Sequence, residues 1–163
     1  MTDNNLPKDL YKPEEVSILW RYSEKVWIVA ALEELESKAT KNSNYKFKHV
    51  FGPKGGIEFV DNLGKDSTLQ ILITELFNYE HESYDTLDLV RKTKEKFPNV
   101  SILMWDAIYF KNCNLSKTAV YTGSNNSVNS RLKALKAIPD VYFLDLEAND
   151  NIFFDAIDKL LNN

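Results

Sequence analysis

The sequence predicts a doubly wound α/β protein: a mostly parallel sheet of five or six strands with helices on both faces. Short apolar runs alternate with longer amphipathic stretches along almost the whole chain. The runs at residues 69–73 and 100–105 are nearly continuous in apolar residues, as in strands covered on both sides. The stretches between the runs have helical spacing, which right-handed crossovers between parallel strands require.

Residues 1–11 are polar. Lys12-Pro13-Glu14-Glu15 then places a proline and acids where a helix would start, and Val16, Leu19, Trp20 and Tyr22 follow as an apolar face. The expectation is an extension over residues 1–24 carrying a short amphipathic helix, with Trp20 as a docking residue if exposed. The α/β domain would then span 25–163. Residues 26–29 read as its first strand, 32–42 as a charged helix and 45–50 as the second strand. The stretch FGPKGGIEF, residues 51–59, lacks the glycine spacing of a phosphate-cradling loop. It is read as a turn, with a helix opening at Gly55-Gly56 and running through Leu63.

Residues 69–73 are the third strand, and 85–96 form a helix that Pro98 stops. Strands follow at 100–105 and 118–121, a helix at 126–137, the last strand at 141–144 and the last helix at 150–161. Residues 106–117 do not fit this count: there is room for a hairpin return or a short crossover helix, periodicity does not decide between them, and an additional strand is the preferred reading.

Composition limits the function classes. A chain of 163 residues holds one domain with a real core, and 44% hydrophobic with 27% charged residues is ordinary for a globular protein. A net charge of −4 with dispersed basic residues argues against a nucleic-acid surface. The densest basic run, Arg91-Lys92-Thr93-Lys94-Glu95-Lys96, reads as the wet face of a helix. One cysteine, Cys113, excludes an internal disulfide and a cysteine-based zinc site. No apolar run approaches the ~20 residues of a membrane span. The N-terminus lacks the pattern of a secretion signal. A cytoplasmic location is expected. His49 and His81 have no serine or cysteine partner at a recognisable spacing, and both are expected at the surface.

Ligands of an open parallel sheet bind at the carboxyl ends of its strands. Those ends read Ala30-Ala31, Thr74-Glu75, Asp106, Thr122-Gly123-Ser124 and Asp145. With them, the segments LQILITELF, LVRKTKEKFPNVSILMWDA, AVYTGSNNSVNSRLKALKAIPDVYFLDL and NIFFDAIDKLL resemble a bacterial response-regulator receiver domain over residues 25–161. The resemblance implies a flavodoxin-like fold. Receivers carry an acidic pair after the first strand, a phospho-accepting aspartate after the third, a Thr or Ser after the fourth and a lysine after the fifth. An aromatic residue three positions before that lysine acts as a switch. The acids hold Mg²⁺, which neutralises the transferring phosphoryl group, while lysine and hydroxyl bind its oxygens.

Against that pattern the acidic pair becomes Ala30 and Ala31, the acceptor Glu75 and the lysine Asp145. Thr122 keeps the hydroxyl, at nearly the family's spacing to Tyr142 in the switch position. Asp106 would take that place if the fourth strand were 100–105. A metal site without its first-strand acids and a phosphoryl site without its cation are unfit for phosphotransfer.

The resemblance is therefore to a degenerate receiver, or pseudo-receiver: a signalling module working through protein–protein contacts, independent of phosphorylation. No catalytic residue, metal or cofactor is expected. The resemblance implies a protein partner, a second copy included, met through the fourth helix, fifth strand and fifth helix, a region that here holds Arg131, Lys133, Lys136, Tyr142, Phe153 and Phe154. Neither nucleic acid nor membrane is a partner.

Glu75 has two readings: a fixed mimic of a phosphorylated aspartate, or an exposed carboxylate without a role. The alternative function is a nucleotide-like sensor or enzyme with a carboxylate and hydroxyl pocket at the strand ends. There Asp106, Gly123, Ser124 and Asn125 are candidate anion or ligand contacts, the last three preceding a helix N-terminus.

Overall fold

The computed structural model describes residues 18–22, 33–38, 41, 46–64, 69–75, 86–105, 115–118, 123–124, 126–144 and 150–162. Their strands are β1 (Ile18–Tyr22), β2 (Phe47–Phe51), β3 (Ile71–Thr74), β4 (Ser101–Trp105) and β5 (Val141–Leu144). The helices are α1 (33–38), α2 (Gly52–Asn62), α3 (Thr86–Lys96), α4 (Asn126–Lys136) and α5 (Asp150–Leu161). All five strands form one parallel sheet in the order β2-β1-β3-β4-β5. This is the flavodoxin-like doubly wound order, with its switch point between β1 and β3.

Both faces of the sheet are covered, so the inner strands carry apolar residues at successive positions. Every residue of β3 and β4 is buried. Pleating sends Leu72, Ile102, Met104 and Phe143 into one core with α2, α3 and α4. Ile73, Leu103, Trp105 and Leu144 enter the other, with Leu35 of α1 and Phe153 and Ile157 of α5. Each such side chain contributes about 1.5–3 kcal/mol by leaving water.

β1 corrects the expectation most. Residues 18–22, read as part of a helix, form a strand paired with both β2 and β3. Ile18, Leu19 and Trp20 are consecutive and all buried. A surface helix buries one stripe, whereas an inner strand of a parallel sheet buries both of its faces. The sheet therefore begins inside the segment read as an extension, and the boundary at residue 24 does not separate it from the domain. Trp20 is a core residue, not a docking one. The strand expected at 26–29 lies outside the described residues.

β4 lies between β3 and β5, with Trp105 level with Leu144. The fourth strand is thus 101–105, and the placement that favoured Thr122 is overturned. Thr118, expected in a strand, sits in a bend, and 119–121 are outside the described residues. Of the additional strand expected over 106–117, the described part shows an isolated antiparallel bridge between Ser116 and Phe143.

After Phe51, which ends β2, the GPKGG stretch is helical, not a turn: α2 starts at Gly52, whose φ of 70° is open to glycine, and Pro53 follows in the first turn. Its Gly56 faces α3 closely; a Cβ there would lie 2.9 Å from the Leu89 methyl carbons.

Two lysines at the end of α3 brace the opposite end of the sheet from the strands' carboxyl termini. Lys96 Nζ donates to the carbonyls of Val60 and Asp61 at 2.7 and 3.0 Å, satisfying the last turn of α2. Lys94 Nζ donates to the Pro98 and Val100 carbonyls at 2.7 and 2.9 Å, and lies 3.6 Å from the Asp140 carboxylate. Asp140, at φ 58°, turns the chain into β5.

Candidate functional site

The carboxyl ends of β1, β3, β4 and β5 meet at one edge of the sheet, and the N-termini of α3, α4 and α5 lie at the same end of the domain. Glu75 directly follows β3. It is 1% exposed. Beside it Thr74 is fully buried, and its hydroxyl donates to the Glu75 carbonyl at 3.4 Å. The burial of Glu75 corrects the reading of an exposed carboxylate, and it has an electrostatic or hydrogen-bonding partner.

Ile18, Leu19 and Trp20 of β1 are level with Ile71, Leu72 and Ile73 of β3, and β1 runs two residues further, through Arg21 and Tyr22, paired there with Val50 and Phe51 of β2. β1 thus ends in an arginine and a tyrosine, where the acidic pair had been sought at Ala30 and Ala31. Those alanines lie outside the described residues, and the strand that flanks β3 ends well before them. Sequence reasoning missed Arg21 and Tyr22 because it took the later apolar run as the strand. The signal was present in Ile18-Leu19-Trp20, three apolar residues in a row closed by a polar one.

The residue that follows β4 in sequence is Asp106, and the one that follows β5 is Asp145. Both are outside the described residues, as are Thr122 and Asn125. Gly123 and Ser124 are exposed ahead of α4. Tyr142, on β5, is half-buried, and Lys117 Nζ stands 5.5 Å from its ring centroid. Arg131 is half-buried and Lys133 and Lys136 are exposed, whereas Phe153 and Phe154 are buried in the core rather than on a contact face. His49 is exposed as expected, and its Nε2 lies 2.7 Å from a Glu36 carboxylate oxygen.

Aromatic rings fill the α1/α5 side of the strand ends. Trp105 stacks on Phe153 with centroids 4.0 Å apart, and Trp20 lies 5.3 Å from Trp105. A hard cation such as Mg²⁺ needs several oxygen ligands. Among the described residues no three His, Cys, Asp or Glu side chains gather to hold a metal, and no helix is long and apolar enough to cross a membrane.

No family model matches the chain, and no curated protein matches its sequence. Solved structures do match. A response regulator receiver protein from Sinorhizobium medicae superposes with a TM-score of 0.59 at 16% identity, covering 90% of this chain and 94% of its own. A response regulator receiver domain protein from Clostridium thermocellum gives 0.56 at 11% identity, covering 90% and 95%. The beryllofluoride-activated receiver domain of DrrB gives 0.53 at 12%, covering 91% and 99%. The chain has the receiver fold.

Proposed function

We propose that this chain is a signalling module that uses the receiver fold without accepting a phosphoryl group, and that it acts through contacts with a protein partner. The observation that carries the proposal is the end of the strand next to β3: β1, paired with β3 through Trp20, closes in Arg21 and Tyr22. Neither residue supplies a carboxylate to a cation, so the oxygen cage that would neutralise a phosphoryl group loses its ligands from this strand. The residue after β5 is Asp145 rather than a lysine, which removes the cation that would meet phosphoryl oxygens. Glu75 instead supplies a buried carboxylate at the acceptor's place, suited to holding the domain in one state. The exposed Lys133 and Lys136 of α4, and the half-buried Tyr142 of β5 with Lys117 near its ring, are the groups the partner would meet.

Melting the full chain with Mg²⁺, beryllofluoride or both tests this directly, alongside intact-mass analysis after incubation with an acyl-phosphate donor and Mg²⁺. The expected result is no rise in Tm specific to the combination and no phosphoryl adduct. A ligand at a hundredfold excess over its Kd stabilises by about 2.7 kcal/mol, so a working pocket would be visible. Such a rise, or an acid-stable-mass adduct mapped to Glu75, overturns the proposal.

A further inference from the structure

A cleft of about 540 Å³ opens between α3 and α4. Arg91 reaches it from α3 and Arg131 from α4. Asn126, Ser127 and Ser130, from the first turns of α4, add amide and hydroxyl groups, and Leu87 and Ala134 supply apolar wall. No carboxylate lines it among the described residues. Arg91 is exposed, while Arg131 is half-buried and, like Ser127, has an interaction partner of its own.

We propose that this cleft binds a small phosphorylated molecule of nucleotide size. Arg91 and Arg131 line one volume from two separate helices, and each guanidinium is a fork of donors that matches phosphate oxygens in pairs of charge-assisted hydrogen bonds. The first turn of an eleven-residue helix adds the positive end of its dipole on the same wall. The cleft is largely open to solvent, and its volume falls in the range of roughly 300–1,000 Å³ of small-ligand sites. Leu87 and Ala134 give the organic part an apolar surface, and the serine hydroxyls and Asn126 amide are suited to its polar edges. Arg91-Lys92-Thr93-Lys94-Glu95-Lys96, read from sequence as a solvated face, thus divides: Arg91 belongs to the cleft, whereas Lys94 and Lys96 bind backbone carbonyls.

The inference uses no residue of the strand ends, so it stands or falls apart from the phosphotransfer experiment. Calorimetric titration of the full chain with ADP, with inorganic pyrophosphate and with a phosphoserine peptide tests it, repeated on R91Q and R131Q. Melting curves of both variants check that they fold, and R91K keeps the charge while removing the fork. Saturable ADP binding is expected, tighter than pyrophosphate and weakened roughly tenfold or more in R91Q and in R131Q, with R91K failing to restore it. Absence of ADP binding at millimolar concentration overturns the proposal. So does ADP binding that folded R91Q and R131Q retain, or binding of the peptide alone.

Discussion

Ser116 and Phe143 exchange both of their backbone hydrogen bonds: the Phe143 N–H donates to the Ser116 carbonyl at 2.7 Å, and the Ser116 N–H donates to the Phe143 carbonyl at 3.3 Å. β5 is the last strand of the sheet, and an open strand edge is a template for pairing with another chain. A segment of the chain itself therefore covers part of this edge. The Ser116 hydroxyl steadies the segment by accepting from the Thr118 N–H at 3.1 Å.

Ser116→Pro removes the N–H from this bridge and the hydroxyl beside it. The expected loss is about 1 kcal/mol of stability for the missing bond. The Phe143 amide should exchange faster with deuterium, and sedimentation should show more self-association. Unchanged exchange at Phe143 would mean that the bridge does not protect the edge.

Gly55 and Gly56 are neighbours in α2 with opposite surroundings. The nearest atom to a Cβ at Gly55 is Val50 Cβ at 3.8 Å, an ordinary contact, whereas at Gly56 the Leu89 methyls would be 2.9 Å away. Gly55→Ala should raise stability by about 0.5–1 kcal/mol through helix propensity. Gly56→Ala should lose that gain, because Leu89 is fully buried and its displacement disturbs the α2–α3 packing. Chemical denaturation of the two variants side by side measures the contrast, and equal stabilisation would refute it.

Lys94→Met keeps the length of the side chain and removes its donors. Two carbonyls, those of Pro98 and Val100, lose their ammonium partner, and so does Asp140. A loss of about 2 kcal/mol is expected, since hydrogen bonds to charged groups exceed neutral ones. It should appear in urea as a lower midpoint at unchanged slope. A loss within error would show that water replaces the lysine without penalty.

Glu75→Asp restores the acceptor's side-chain length but leaves Arg21 and Tyr22 at the end of β1. The variant should remain unmodified by an acyl-phosphate donor with Mg²⁺, and should lose about 1 kcal/mol for one buried methylene. An adduct on the new aspartate by intact mass would mean that oxygens from elsewhere in the chain complete a metal site.

The alternation of apolar and amphipathic segments by itself determined the class of this protein. It also placed β3, β4, β5 and the helices α3, α4 and α5 to within a residue or two, whereas α2 begins three residues before the expected Gly55. Those elements are legible because a continuous apolar run bounded by turn residues has few other uses once helices of regular spacing stand on both sides of it. The first strand was not legible. Residues 18–22 and 26–29 are both short apolar runs, and a buried strand and one face of a helix look alike over so few residues. Only the pairing of Ile18 with both Phe47 and Ile71 selects the former, and that choice moves the end of the strand next to β3 from two alanines to Arg21 and Tyr22. Position 106, rather than 122, follows the fourth strand for the same kind of reason: neighbours in the sheet, not spacing along the chain, decide which strand end faces which. The cleft between α3 and α4 is likewise tertiary. Arg91 and Arg131 are far apart in sequence, and the packing of both helices against the same face of the sheet brings them to one volume.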